Sequence, residues 1–136
     1  MNDSEFLRHL ENGQLHELPH RAHLRLAWLY LRADGFDQGG ANVRAMLRQI
    51  VASHGAADKY HETITAFWIY LVYYAMTLTP EIDTFDAFIA AHDHLLDGSL
   101  LKRHYSAERL RDSRTVYAPP DLRPLPDITP LDQPAV

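Results

Sequence analysis

An all-α fold, one compact bundle of about five helices with a proline-rich extended C-terminal tail, is what this sequence predicts. Three observations carry the prediction. Apolar residues recur at helical spacing along most of residues 20–112. No stretch alternates long enough to read as a strand, and no alternation of elements suggests a parallel sheet. Six of the eight prolines fall in the last eighteen residues, where they forbid helix. The 136 residues fit one domain. We divide them into a helical domain, 1–118, and an extended tail, 119–136, either disordered or laid against the body or a partner.

The elements follow in order. Residues 2–10 form a short packing helix with Asp3 or Ser4 as N-cap and Asn12-Gly13 as its stop. Pro19 suits a first helical turn, and the pattern from there to Ala33 ends before Asp34-Gly35. A third helix spans about Gln38 to Ser53, with Val43, Met46, Leu47, Ile50 and Val51 inward, although Gly39-Gly40 weakens its start. The fourth begins near Asp58, read as its N-cap, and runs to Thr77 or Leu78 before Thr79-Pro80 breaks it. It is apolar nearly all round and so belongs in the middle. Thr84 caps a fifth helix that reaches about Leu96 and buries Phe85, Phe88, Ile89 and Leu95 or Leu96. Short helical pieces follow at 99–104 and 107–112, the second capped by Ser106.

Composition removes several function classes. Without cysteine there is no thiolate zinc site, iron–sulfur cluster, redox dithiol or cysteine nucleophile. A net charge of −5 with no basic tract argues against nucleic acid as a partner. Residues 63–78 fall short of the roughly 20 apolar residues that span a bilayer, and the first residues are too charged for a signal peptide. We expect no membrane partner and a cytoplasmic location.

The chemistry lies in the histidines. Stepping about 100° per residue from His20 brings Ala27 and Leu31 within about 20° of it, with His23 and Leu24 flanking. Arg21, Arg25 and Arg32 take the far side, so His20 and His23 sit on the oily face. His61 opens the central helix on a stripe with Thr65, Trp68 and Val72. Two imidazoles at i, i+3 plus a third make a metal set with an open position, suited to one transition-metal ion: zinc, iron or copper. Glu62 and Tyr105 are the acid–base candidates, with Glu62 also able to orient a ligand ring. Ala27, Thr65 and Trp68 are the candidate pocket wall, and Arg103 either holds an anionic group or pairs with Glu108. The plainer alternative is that the histidines are satisfied core residues, since HxxH occurs on many metal-free helices. His92 and His94 are expected on a helix exterior or its edge, solvated rather than ligating, and His9, His16 and His54 near exposed helix ends. No phosphate loop, nucleophile elbow, HExxH or repeated ExxH motif is present, and no nucleotide cofactor is indicated.

Three blocks taken in order, LPHRAHLRLAWLYL, KYHETIT and LLKRHYSAERLRDSRTVYAPPD, resemble a family of small uncharacterised bacterial proteins. Its members carry FxHxxHLRxAWxYL, YHETxT and LxxYYSxExLxSxxA with a closing PD. The resemblance covers roughly residues 6 to 125. It implies a shared functional site that includes His20, His23, Tyr60, His61, Glu62, Thr63, Thr65, Tyr105, Ser106 and Pro120-Asp121, and implies no particular activity. Leu18-Pro19 stands where the family has an aromatic residue, and His104 where it has the first tyrosine of YYS.

The leading expectation is a small enzyme with a buried His-rich, metal-binding site acting on a small organic molecule. The alternative is a non-catalytic module that binds a small molecule or a partner and whose histidines are structural. A homo-oligomer is compatible with either.

Overall fold

The apolar run that ends at Leu78 dictates the layout, because a helix oily on nearly every side must be surrounded. The computed structural model describes residues 1–13 and 18–127; His16 and residues 128–136 of the tail lie outside the described residues. Among the described residues there is no strand. The elements are α1 (Asp3–Glu11), α2 (His20–Ser53), a 3-10 turn (Ala57–Lys59), α3 (Glu62–Leu78), α4 (Phe85–Ala91), a second 3-10 turn (Asp93–Leu96), α5 (Leu100–His104) and α6 (Ala107–Asp112). The fold is all-α, as the periodicity predicts. Its principal packing is α2 against α3, and α3 buries Phe67, Ile69, Leu71, Val72 and Ala75 there.

The two helices expected across residues 19–53 are the arms of α2, bent at one residue. Gly35 has φ 81° and ψ −176°, a backbone region open essentially to glycine alone. The arms then fold back on each other. A Cβ on Gly39 would stand 2.6 Å from the Tyr30 carbonyl oxygen and 2.8 Å from Leu31 Cα, so the missing side chain permits backbone contact between the arms. The glycine that weakens the start of the second arm as an isolated helix is what lets that arm dock.

Two caps stand as expected and two are displaced. Asn2 caps α1, its side-chain oxygen accepting from Glu5 N–H at 2.8 Å, one residue ahead of the expected Asp3 or Ser4. Thr84 and Ser106 cap α4 and α6 as expected, accepting from Ala87 and Arg109 N–H. The cap of α3 is His61, not Asp58, which lies in the preceding 3-10 turn. The fifth helix expected to reach Leu96 stops at Ala91 and continues as the second 3-10 turn, which buries Leu95 and leaves Leu96 exposed.

On the outer face of the first arm, each arginine lies over an aromatic ring. Arg21 covers Phe85 and pairs with Asp86, Arg25 covers Phe6 and pairs with Asp3, and Arg32 covers Trp28 and donates to the Asp83 carbonyl. They fasten α1 and the start of α4 to this arm through ring contact as well as charge.

Gly39→Ala is expected to destabilise the protein by about 1–3 kcal/mol, because rigid backbone has to move. Gly98→Ala, where a Cβ meets nothing within 4 Å, should stay within about 0.5 kcal/mol of the wild type. Urea unfolding of the two variants measures the difference.

Candidate functional site

The antiparallel arms of α2 place positions from their two sequences side by side. Ala27 and Val43 share a wall, as do His23 and Leu47, with the Ile64 to Ile69 stretch of α3 as a third side. Together with His20, Thr65 and Trp68 they enclose a cavity of about 230 Å³. Three of its lining residues, His20, His23 and Thr65, carry polar side-chain atoms other than the indole N–H of Trp68, and no Asp, Glu, Lys or Arg lines it.

His20 is held from both sides. Its Nε2 lies 2.8 Å from the Leu95 carbonyl oxygen, which can only accept, so this nitrogen carries the proton. Its ring meets Trp68 edge-on, centroids 4.4 Å apart. Thr65 donates its hydroxyl proton to the His61 carbonyl at 2.8 Å and presents only lone pairs. His23 has no hydrogen-bonding partner for its ring among the described residues. Burial, reinforced by the neighbouring His20, lowers its pKa to about 4. The His23 ring is therefore neutral near pH 7, with one donor and one acceptor unused.

His61 is elsewhere. As the N-cap of α3 its Nδ1 accepts from Ile64 N–H at 3.2 Å, and its Nε2–H donates to the Leu110 carbonyl at 2.7 Å. The stripe shared with Thr65 and Trp68 assumed a helix that already includes residue 61, whereas the extended backbone of the cap turns the ring toward α6. With both His61 nitrogens used and His20 Nε2 committed, no carboxylate joins His20 and His23 at the cavity. Among the described residues no group of three or more His, Asp or Glu is placed to hold a metal ion. The residues present do not fit the three-imidazole centre.

Glu62, Tyr105 and Arg103 also serve the fold. The Glu62 carboxylate meets Arg44 at 2.9 Å and Arg48 at 3.4 Å, and accepts from the Tyr60 hydroxyl at 2.7 Å. Burial and that bond to Glu62 push the Tyr60 phenol up to about 12. Tyr105 is 1% exposed and donates to the Ala118 carbonyl at 2.7 Å. Burial, then the Tyr117 hydroxyl, hold its pKa above the ordinary phenol value. Arg103 pairs with Asp97 at 3.6 Å rather than with Glu108 and does not line the cavity.

Glu62 and Tyr105 belong to a clasp that ties residues 110–126 across α3. Thr63, wholly buried, donates to the Ser113 carbonyl at 2.8 Å and accepts from Ala118 N–H at 3.1 Å. Glu62 N–H donates to the Arg114 carbonyl. Asp121 accepts from Ser106 N–H and, at 2.6 Å, from the Ser106 hydroxyl. His104 Nδ1 meets the Arg123 carbonyl, Leu122 N–H donates to the His104 carbonyl, and the Tyr70 hydroxyl donates to the Pro126 carbonyl.

Two participants escaped the sequence reading. The Leu95 carbonyl that orients His20 is a backbone group with no residue-type signal. His92, expected on a helix exterior or its edge, is 7% exposed; its ring packs at a tilt of 45° against Phe88 and lies 2.8 Å from the Thr79 hydroxyl. Its signal was legible, since 88, 92 and 95 form one i, i+4, i+7 stripe, but Asp93 and His94 gave the segment a polar look.

No protein-family model matches the chain, nor does any curated protein or solved structure.

A lowered histidine pKa has a definite sign in stability. Unfolded, His23 takes up its proton near 6.5; folded, it resists until about 4. Its contribution is intact above the higher value and is lost as pH falls through the lower one. His92, lowered by burial and then by His94, acts in the same sense. Between about pH 7 and about pH 4.5, His23→Leu should remove about 2 kcal/mol of the acid-induced loss seen in urea unfolding. Thr63→Val keeps the shape but leaves the Ala118 N–H and the Ser113 carbonyl without this partner, and should cost about 2 kcal/mol or more in the same measurement.

Proposed function

We propose that this protein is a small-molecule-binding module whose ligand occupies the cavity between the arms of α2 and α3, with His23 as its hydrogen-bonding partner. One observation carries the reading: the His23 imidazole is neutral and, among the described residues, without a protein partner in a cavity of about 230 Å³ whose walls are mostly apolar. A largely apolar pocket with few, well-placed polar groups is the usual form of a small-ligand site.

Binding is favoured over turnover by the same facts. A base whose conjugate acid has a pKa of about 4 has little driving force to take a proton near pH 7, where an effective general base is matched to the operating pH. Glu62 and Tyr105, the other acid–base candidates, are engaged in the ion-pair cluster and the clasp. The metal-dependent reading has too few donors at the cavity.

A thermal-shift panel of small uncharged organic compounds tests the proposal. At a concentration about a hundredfold above its Kd, a ligand should add about 2.7 kcal/mol to the unfolding free energy. Ala27→Leu, which grows into the cavity, should abolish that gain. A panel with no stabilising compound, or a gain that survives Ala27→Leu, defeats the proposal.

A further inference from the structure

The hydrogen-bonding inventory of the cavity selects among ligands. The following rests on the cavity being a ligand site. His20 has given its Nε2–H to Leu95, and in the tautomer that this bond selects Nδ1 is an acceptor. Thr65 has given its hydroxyl proton to the His61 carbonyl and offers lone pairs only. The His23 ring offers one donor and one acceptor, and the Trp68 indole N–H adds a second donor. Acceptors therefore outnumber donors, and a ligand that brings a donor is better matched than one that brings only acceptors.

Charge narrows the class. With no Lys or Arg in the wall, a carboxylate or phosphate would be desolvated without a counter-charge. An ammonium would fare no better, because no Asp or Glu faces it and the burial that strips the proton from His23 acts equally on a bound cation. Size and wall chemistry narrow it further. An apolar cavity of roughly 150 Å³ accepts benzene, so about 230 Å³ admits one aromatic ring with a few more heavy atoms. The Trp68 ring and the two imidazoles supply edges and faces against which a ring packs well.

We propose that the ligand is an uncharged aromatic molecule bearing a single ring-bound donor, of the phenol or indole class, whose O–H or N–H is donated to His23. Its ring lies among Ala27, Leu47, Ile64 and Trp68.

Three probes of matched shape separate the terms: para-ethylphenol, its methyl ether and para-ethylbenzoate, each titrated calorimetrically into the full-length protein and into His23→Leu. The phenol should bind the wild type about tenfold more tightly than the ether, the value of one good hydrogen bond, and the benzoate should bind least. In His23→Leu the phenol-to-ether ratio should fall to about one, a comparison within one variant that is insensitive to its overall stability. Equal binding of phenol and ether to the wild type, preferred binding of the benzoate, or a ratio that persists in His23→Leu would each overturn the donor class. If phenol and ether bind alike and Ala27→Leu excludes both, the cavity stands as a ligand site and only the class falls. If none of the three binds, the class falls, and the wider thermal-shift panel decides the cavity itself.

Discussion

The contact of backbone with backbone at Gly39 is the constraint from which the rest of this structure follows. Once Gly35 has reversed the chain, docking against Tyr30 and Leu31 sets the register of the two arms. Counting outward from that contact, Ala27 faces Val43 one turn away and His23 faces Leu47 one turn further. Together with His20 at the start of the first arm, those four positions are the arms' share of the cavity, and α3 closes the third side. A bulkier residue at 39 would move both walls, so the bend and the cavity are one feature.

A second group of interactions keeps α3 in place against that hairpin. The start of a helix leaves several backbone donors unsatisfied, and His61 supplies one cap while Thr63 and the Glu62 N–H fasten the returning chain. Most of the polar side chains in the KYHETIT and HYSAERL blocks are used here. An imidazole with a carboxylate and a phenol nearby suggests chemistry when read as letters. In three dimensions each has a structural partner at hydrogen-bonding distance: backbone groups for His61 and Tyr105, arginines for Glu62, and the Glu62 carboxylate itself for Tyr60. The clasp also accounts for residues 119–127, which cannot be helical. Their carbonyls, freed from any ladder, accept from Arg109, Tyr70 and His104 instead.

What was legible in the sequence is what local periodicity and capping encode. The central helix, the inward faces of Val43, Met46 and Ile50, the caps at Thr84 and Ser106, and the wall positions Ala27, Thr65 and Trp68 all follow from spacing within one element. The rest depends on backbone geometry or distant backbone partners. Asp58 is the better N-cap by residue type, yet the chain spends it in a 3-10 turn and caps α3 with His61, because the Leu110 carbonyl is there to hold the other ring nitrogen. That displacement of one cap turned a candidate third ligand away from His20 and His23. The Leu95 carbonyl illustrates the same limit, since its position depends on the second 3-10 turn.

A cavity also has to be reconciled with stability. At about 24 cal/mol per Å³, an empty closed void of about 230 Å³ would cost on the order of 5 kcal/mol, comparable with the whole stability of many domains. His20 and His23 are only half-buried, so the cavity is open in part to solvent and the cost is smaller. It is still a cost that one larger side chain at Ala27 would relieve. Meanwhile the fold holds His23 in a place that penalises its charged form and, among the described residues, gives it no protein hydrogen-bonding partner. Core packing relieves both conditions whenever it can, by filling space and pairing polar atoms. A ligand that fills the space and offers a proton to His23 would relieve both at once, which is the physical ground for reading the cavity as a binding site rather than a packing defect.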